Sequence, residues 1–431
     1  MKVAFYTLGC KVNQYESQAM SEKLRENGYT VVDSKTDADI YIVNSCTVTA
    51  FADKKTRQAV RRFKKEHPES IVVLTGCLPQ AYPEDADKLI EADIVIGNKS
   101  NDKLLSLLDT FSKFGKRVVD ISLHKKGDSF NSCSITSFDE RTRAYVKIQD
   151  GCNRFCSYCI IPTSRGRVRS KDPEELKTEL EALSSNGFSE VVLVGINLSS
   201  YGSDNGHTFP EAVKIANDTK GIKRVRLGSL EPDHLTDEVI EELSECEKLC
   251  PQFHISLQSG CDNTLKTMNR HYTADEYRSL AKKLRSTFSD CTLTTDVMVG
   301  FAGETEGDFE ESLRFVKEIG FEKVHVFPYS IRTGTRAENF EGHLPKNVKD
   351  ERCKIMIEET DKIRLEFFKS QIGKNVSVLF ETKTKDGFLC GHTPNYTPVK
   401  VKSPHDFCGE IKDVKIISVS DDDFCIGEII L

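Results

Sequence analysis

Three short apolar runs near the start of the chain each stop on a cysteine: Tyr6-Thr7-Leu8-Gly9-Cys10, Val43-Asn44-Ser45-Cys46 and Leu74-Thr75-Gly76-Cys77. Apolar runs at 3–8, 30–33, 40–43, 71–75 and 94–97 alternate with helix-like stretches, which predicts a parallel α/β sheet. In such a sheet every strand has its C-terminal end on one edge. Thiols that terminate separate strands therefore converge, however far apart they lie in the chain. Unrelated buried cysteines would seldom repeat this arrangement three times. The fourth such end, Ile96-Gly97-Asn98, carries no cysteine, which points to a set of three.

The chain has 15 cysteines in 431 residues, an odd number. No apolar run approaches the ~18 residues of a membrane span, and MKVAFYTLGC has no signal-peptide pattern, so no membrane association is expected and the cytoplasm is the expected location. There thiols stay reduced, free for metal or chemistry rather than for a disulfide framework. A formal net charge of -7 excludes a globally basic surface, so any nucleic-acid contact must come from local patches.

A second cysteine group, Asp150-Gly151-Cys152-Asn153-Arg154-Phe155-Cys156-Ser157-Tyr158-Cys159, follows another predicted strand directly. On a helix the same offsets would place three small side chains on one face. Structural zinc is a further alternative, but zinc wants four ligands, commonly in paired sets, and no fourth is evident nearby. Gly151, Asn153 and Pro162 favour an irregular loop, the usual source of cluster ligands. Three thiolates on a 4Fe-4S cubane leave one iron open, and an open position is what separates a reactive metal site from a structural one.

The predicted organisation is an α/β chain of three domains and one linker: an N-terminal α/β domain at 1–124, a linker of loop composition at 125–140, a partial (βα)6 barrel at 141–370 and a small β-barrel at 371–431. The six barrel runs fall at 144–148, 191–195, 225–228, 253–257, 293–299 and 324–329. Asp172-Pro173-Glu174-Glu175 combines a helix N-cap, a first-turn proline and a capping-box glutamate. In a barrel of this kind the chemistry sits where loops converge at the C-terminal ends of the strands.

The CxxxCxxC loop, with Tyr158 in the aromatic slot beside its third cysteine, resembles the radical S-adenosylmethionine (SAM) superfamily. TLGCKVNQYES, NSCTVTAFADKK, TGCLPQ and DGCNRFCSYCIIPTSRGRVRS together resemble the methylthiotransferase family within it, most closely the branch acting on N6-threonylcarbamoyladenosine beside the anticodon. The likeness continues through VLVGINLSSYG, RVRLGSLEPDHL, LQSGCDNTLKTMNRHYT, TTDVMVGFAGETEGDF and FPYSIRTGT, and the last sixty or so residues resemble a TRAM RNA-binding barrel. Ser256, Ala302 and Thr163-Ser164 depart from the usual pattern.

The resemblance implies two 4Fe-4S clusters, one on Cys152, Cys156 and Cys159 and one on Cys10, Cys46 and Cys77, these six being the catalytic set. It implies two SAM molecules per turnover, one as radical source and one as methyl donor, and a methylthio group delivered to C2 of the adenine. That carbon carries an aromatic hydrogen which acid-base machinery cannot usefully remove. Tyr158, Gly195, Asn197, Ser229, Glu231, Gln258 and Asp296 are the implied cofactor contacts. The implied partners are an anticodon loop carrying threonylcarbamoyladenosine, an electron donor and a sulfur donor, acting on a monomer.

For RNA contact the sequence offers a basic stretch, Lys54, Lys55, Arg57, Arg61, Arg62, Lys64 and Lys65, and the loop cations Arg165, Arg167, Arg169 and Lys171. In the last segment seven lysines face nine acids in residues 371–431, leaving His392, Asn395 and Tyr396 as candidates for stacking and hydrogen bonding. Arg332 is the candidate partner of the threonylcarbamoyl carboxylate. Three rivals to this function are a methylthiotransferase for isopentenyladenosine or a ribosomal-protein aspartate, a non-enzymatic iron-sulfur or zinc RNA-binding protein, and a single-cluster radical enzyme with an inert N-terminal domain. Cys246 and Cys250 form a CxxxC without a partner, and Cys133, Cys261, Cys291, Cys353, Cys390, Cys408 and Cys425 show no ligand spacing.

Overall fold

Strand ends decide where the cysteines lie, and the computed structural model, which describes residues 1–139 and 141–430, fixes those ends. The last residue of the expected linker, Glu140, and of the expected C-terminal barrel, Leu431, lie outside the described residues. The first part runs β1 (Lys2–Thr7), α1 (Lys11–Glu26), β2 (Thr30–Val32), β3 (Ile40–Ser45), α2 (Ala50–Glu66), β4 (Ile71–Gly76), α3 (Cys77–Ala81), α4 (Pro83–Asp87), β5 (Ile94–Ile96), α5 (Leu104–Phe114) and β6 (Val118–Asp120). All six strands pair in parallel in the order β2-β1-β3-β4-β5-β6. Strands β3 and β4 are buried along their whole length, because helices cover both faces, and so read as unbroken apolar runs. Edge strand β6, three residues with an exposed centre, gives no such signal.

The barrel comprises β7 (Arg143–Lys147), β8 (Gln149–Asp150), α6 (Ile161–Arg165), β9 (Arg169–Ser170), α7 (Pro173–Ser185), β10 (Glu190–Val194), α8 (Phe209–Asp218), β11 (Arg224–Leu227), β12 (Ser229–Leu230), α9 (Asp237–Ser244), β13 (Gln252–Ile255), α10 (Asp262–Thr267), α11 (Ala274–Thr287), β14 (Thr292–Val299), α12 (Glu306–Ile319) and β15 (Lys323–Pro328). Every expected barrel strand is present, but the ladder divides at Gly228 into β11-β10-β7 and β12-β13-β14-β15. The barrel stays open between β7 and β15. Helix α1 packs beside β7, where Val12 and Tyr15 join the barrel's own core.

At the start of α7 the Asp172 carboxylate accepts from the Glu174 and Glu175 amides as expected. Glu175 does not complete a capping box; its carboxylate accepts from the Ser132 hydroxyl instead. The stretch 125–139 has no helix or strand, yet it does not hang free. Ile135 and Phe138 are buried in the barrel core, and the Cys133 carbonyl accepts from the Lys171 ammonium at 3.0 Å.

Helix α13 (Lys346–Ser370) leads to β16 (Asn375–Lys383), β17 (Phe388–His392), β18 (Pro398–Lys402), β19 (Ile411–Val419) and β20 (Cys425–Ile429), a closed barrel in the order β16-β17-β18-β20-β19. Strand β17 escapes the apolar pattern because only Leu389 and Gly391 in it are buried. No helix among the described residues is long and apolar enough to cross a membrane.

Candidate active site

The register levels Thr7 with Asn44 and Asn44 with Thr75, so β1, β3 and β4 end together and Cys10, Cys46 and Cys77 follow on one edge of the sheet. Gly9 turns the first loop with φ +100, and a Cβ there would lie 2.7 Å from the Cys46 Cβ. Only glycine combines that backbone conformation with that closeness. Asn13, one turn into α1, sits among the thiols. Its Oδ1 is 3.7 Å from the Cys10 sulfur and 4.0 Å from that of Cys77, and its Nδ2 donates to the Leu8 and Ser45 carbonyls at 2.9 and 2.8 Å.

The second triad forms at the mouth of the barrel. Gly151 turns the chain out of β8 with φ +74, and a Cβ there would lie 1.9 Å from the Arg167 carbonyl oxygen. Nitrogen donors surround the sulfurs: the Arg154 amide at 3.4 Å and Asn197 Nδ2 at 3.7 Å from Cys152, and Arg270 Nη1 at 3.2 Å from Cys156. Arg270 also pairs with Glu231. Tyr158 lies edge-on to Phe301 at 6.1 Å and packs against the apolar cluster of Met268, Met298 and Tyr329.

One buried ion network joins the two triads. Arg165, on α6 just after Cys159, donates from Nε to the Cys77 sulfur at 3.3 Å, from Nη2 to Asn13 Oδ1 at 2.7 Å and to Glu16 at 2.9 Å. Lys147 pairs with Glu16 at 2.8 Å and with Asp150 at 2.7 Å, and Arg169 lies 3.4 Å from Asp150. Burial alone would raise the Asp150 carboxyl, but Lys147, Arg165 and Arg169 override it and hold it below the usual carboxylate range. Three cations thus face two carboxylates, and the remaining positive charge lies against Cys77.

These donor sets fit iron-sulfur ligation. N–H groups aimed at cysteine sulfurs, and a surplus cation beside one of them, suit thiolate ligands better than neutral thiols. Burial pushes the Cys77 thiol up to about 12 and the Cys152 thiol to about 11, so metal binding must displace their protons. Among the expected SAM contacts, Asn197 and Glu231 stand beside this triad, and Gln258, at φ 64, has a buried Oε1 without a hydrogen-bond partner. Gly195 packs on Gln149, whereas the exposed Ser229 and the half-buried Asp296 lie along the inner barrel face.

Several RNA assignments need correction. Arg165, Arg169 and Lys171 are buried; of the four loop cations only Arg167 is exposed, its guanidinium 4.4 Å from the centre of the Phe155 ring. Arg332 is 4% exposed and donates to Asp53 at 2.6 Å and to Thr47 at 2.9 Å, which ties the barrel to the loop after Cys46 and sets its charge against a carboxylate. His392 and Tyr396 stack on each other at 4.3 Å, and Asn395 is buried and bound to Asp290 at 2.7 Å. Their loop docks on Arg226, which donates to the Thr393 and Pro394 carbonyls at 2.6 and 2.7 Å, so the backbone of the turn serves domain packing while the Tyr396 ring stays 38% exposed. Asn13, Glu16 and Arg270 are not among the sequence candidates; Asn13 and Glu16 stand in a helix rich in polar residues and Arg270 between Asn269 and His271, so nothing in their type sets them apart.

Comparison with known proteins agrees with this architecture. Residues 2–97 match the family model described as Uncharacterized protein family UPF0004, residues 146–316 the Radical SAM superfamily and residues 369–429 the TRAM domain. A solved radical SAM methyltransferase from Kitasatospora setae, TsrM with cobalamin and a [4Fe-4S] cluster, covers 90% of this chain and 77% of its own with a TM-score of 0.57 at 12% identity, a likeness of fold. The fold and the thiol loop at its mouth define a radical-SAM enzyme, which uses SAM and an iron-sulfur cluster.

The Bacillus subtilis threonylcarbamoyladenosine tRNA methylthiotransferase MtaB is 38% identical over 96% of this chain and 93% of its own, and the Thermotoga maritima protein of that name 37% over 97% and 95%. A Clostridium botulinum tRNA-2-methylthio-N(6)-dimethylallyladenosine synthase is 36% identical over 96% and 94%. The chain belongs to the tRNA methylthiotransferase family and transfers a methylthio group to transfer RNA by radical-SAM chemistry.

Proposed function

We propose that this enzyme methylthiolates C2 of N6-threonylcarbamoyladenosine beside the anticodon, using two 4Fe-4S clusters and two SAM molecules per turnover. The observation that carries the proposal is the pair of three-thiol sets joined through Arg165: two separate sites, each one ligand short of closing a cubane, held by one rigid network. When loaded, the clusters and SAM supply the radical that activates the C–H bond and the methylthio unit that replaces the hydrogen.

The chain's own task is to hold sulfur, SAM and base within reach and to exclude water. Cys152, Cys156 and Cys159 hold one cluster, with Arg270 and Asn197 donating to its sulfurs; Cys10, Cys46 and Cys77 hold the other, with Arg165 and Asn13 beside them. Tyr158, Gly195, Asn197, Ser229, Glu231, Gln258 and Asp296 remain the proposed SAM contacts, and the unpartnered Gln258 oxygen supports that role. An anticodon loop offers an adenine already unstacked at small cost. An electron donor and a sulfur donor complete the reaction.

The test is mass spectrometry of nucleosides after anaerobically reconstituted enzyme, reductant and SAM act on transfer RNA bearing threonylcarbamoyladenosine. Wild type should yield the methylthio nucleoside and Cys10→Ala should not, while Cys10→Ala still cleaves SAM. A wild-type enzyme that cleaves SAM and leaves this nucleoside unmodified would sink the substrate reading and spare the radical one.

A further inference from the structure

Moving one adenine out of a loop and into a pocket leaves a bare face on the base beside it, and the lost stack has to be made good. The simplest replacement is an aromatic side chain at the rim of the pocket, with a cation close by for the phosphate backbone. The barrel mouth presents such a pair.

Phe155 immediately precedes Cys156, and its ring is 39% exposed. Its φ is +53, a left-handed conformation in which a bulky residue is an outlier and which glycine or asparagine holds with less strain. Neighbouring side chains pin the backbone there. Asn269 Nδ2 donates to the Phe155 carbonyl at 3.2 Å, while the guanidinium of Arg154 is held by Asp233 and lies 2.8 Å from His271 Nδ1. A loop that only had to deliver Cys156 has no use for an outward aromatic ring on strained backbone. Strain of this kind gathers at functional sites.

Arg167 supplies the cation. Its guanidinium lies 4.4 Å from the centre of the Phe155 ring and has no carboxylate partner among the described residues, whereas Arg165 and Arg169 lie 3.5 and 3.4 Å from Asp150. The two loops are stitched together, since the Cys152 amide donates to the Gly166 carbonyl at 3.0 Å and Arg169 to the Arg167 carbonyl at 3.2 Å. The backbone carrying ring and cation is thus fixed before RNA arrives, which limits the ordering that binding must impose.

We infer that Phe155 and Arg167 form a stacking platform for the nucleobase next to the target adenine, the ring lying against that base and the guanidinium on the adjoining phosphate. The reaction itself brings an RNA loop to this mouth, and a ring beside an unpaired cation matches a base and its phosphate. The platform rests on the proposed radical site at the Cys152 loop. It is the same for a threonylcarbamoyl or a dimethylallyl adenosine, so it stands apart from the choice between them.

The experiment uses reconstituted enzyme, with iron measured per chain, and three anticodon stem-loop RNAs bearing threonylcarbamoyladenosine: one intact, one abasic on the 5′ side of that nucleoside and one abasic on its 3′ side. Binding is read by fluorescence anisotropy and methylthiolation by nucleoside mass spectrometry. Wild type should bind one of the two abasic RNAs about tenfold more weakly than the intact one, the size of a single stack. Phe155→Asn suits the left-handed backbone and should load iron fully, yet bind the intact RNA about tenfold more weakly and no longer distinguish it from that abasic RNA. Phe155→Tyr should keep the distinction. Arg167→Gln should flatten the log-log salt dependence by about 0.7, one single-strand phosphate, whereas Phe155→Asn leaves the slope alone.

A fully loaded Phe155→Asn that binds like wild type, or that loses the same factor on all three RNAs, would overturn the platform. So would unchanged RNA affinity with slower reduction by a protein electron donor, which would give the surface to that partner. Should Phe155→Asn lose its iron, Arg167→Gln decides, an unchanged salt slope overturning the platform. A wild type that tells the abasic RNA from the intact one but leaves threonylcarbamoyladenosine unmodified would overturn the substrate reading and support the platform.

Discussion

Arg165 is the side chain on which the two halves of the site most depend. It is 1% exposed, and removing its charge would leave Glu16 in the protein interior with Lys147 as its charged partner, shared with Asp150. Stranding a buried charge outright costs about 3–5 kcal/mol, so Arg165→Gln, which keeps Lys147 in place, should lose less than that in urea unfolding of the metal-free protein. The loss should depend on pH. Arg165 and Lys147 overcome the effect of burial on Glu16 and hold it below its ordinary range, as they do for Asp150. That stability is present above the unfolded carboxylate values near ~4 and is lost as pH falls through the lower folded ones. The gap between wild type and Arg165→Gln should therefore narrow on acidification, and a gap constant from pH 7 to pH 3 would contradict the network. None of this was legible in the sequence. Arg165 looked like an RNA-binding cation because its partners Asn13 and Glu16 lie 152 and 149 residues away, and charge alone does not say which way a side chain turns. The six cysteines were legible because their spacing, or their place after a strand, repeats.

At the level of elements, the sheet edge must deliver three sulfurs with little tolerance. Gly9 makes the first delivery with a left-handed turn pressed against Cys46, so Gly9→Ala brings both backbone strain and a collision with Cys46 Cβ. Strain of this kind costs on the order of 1–3 kcal/mol. Strands β1 and β3 pair over five residues and should survive it. The expected result is a folded protein that retains the iron and SAM cleavage of the Cys152 loop but has lost the iron of the Cys10 set, read as iron per chain and by electron paramagnetic resonance. A full iron content in Gly9→Ala would mean that the loop has slack. Strand positions were readable because buried parallel strands are unbroken apolar runs; β6 and β17 were not, the one short and exposed at its centre, the other alternating on a barrel with solvent outside.

For the whole molecule the question is which surface meets transfer RNA, since Arg165, Arg169, Lys171 and most of the 392–397 turn are taken up in packing and Arg167 and Tyr396 stay exposed. A broader basic surface is α2, which starts four residues after Cys46 and whose Ala50 amide touches Ser330 at the barrel mouth. Part of its charge is balanced, by Arg57 with Asp85, Arg61 with Glu91, Arg62 with Glu66 and Lys64 with Asp93. Lys54, Lys55 and Lys65 remain exposed, and Lys55 covers the ring of Phe51, itself 64% exposed. A cationic strip with an exposed aromatic ring beside the mouth suits backbone contact with a stacked base at its end. Replacing Lys54, Lys55 and Lys65 with glutamate should weaken transfer-RNA binding and flatten its salt dependence by about 0.7–0.9 in log-log slope for each phosphate no longer neutralised. Phosphate contacts carry no information about the base, so the modified and unmodified stem-loops should weaken equally. If the triple variant lost the preference for threonylcarbamoyl and kept its salt slope, α2 would be reading the base rather than docking the backbone.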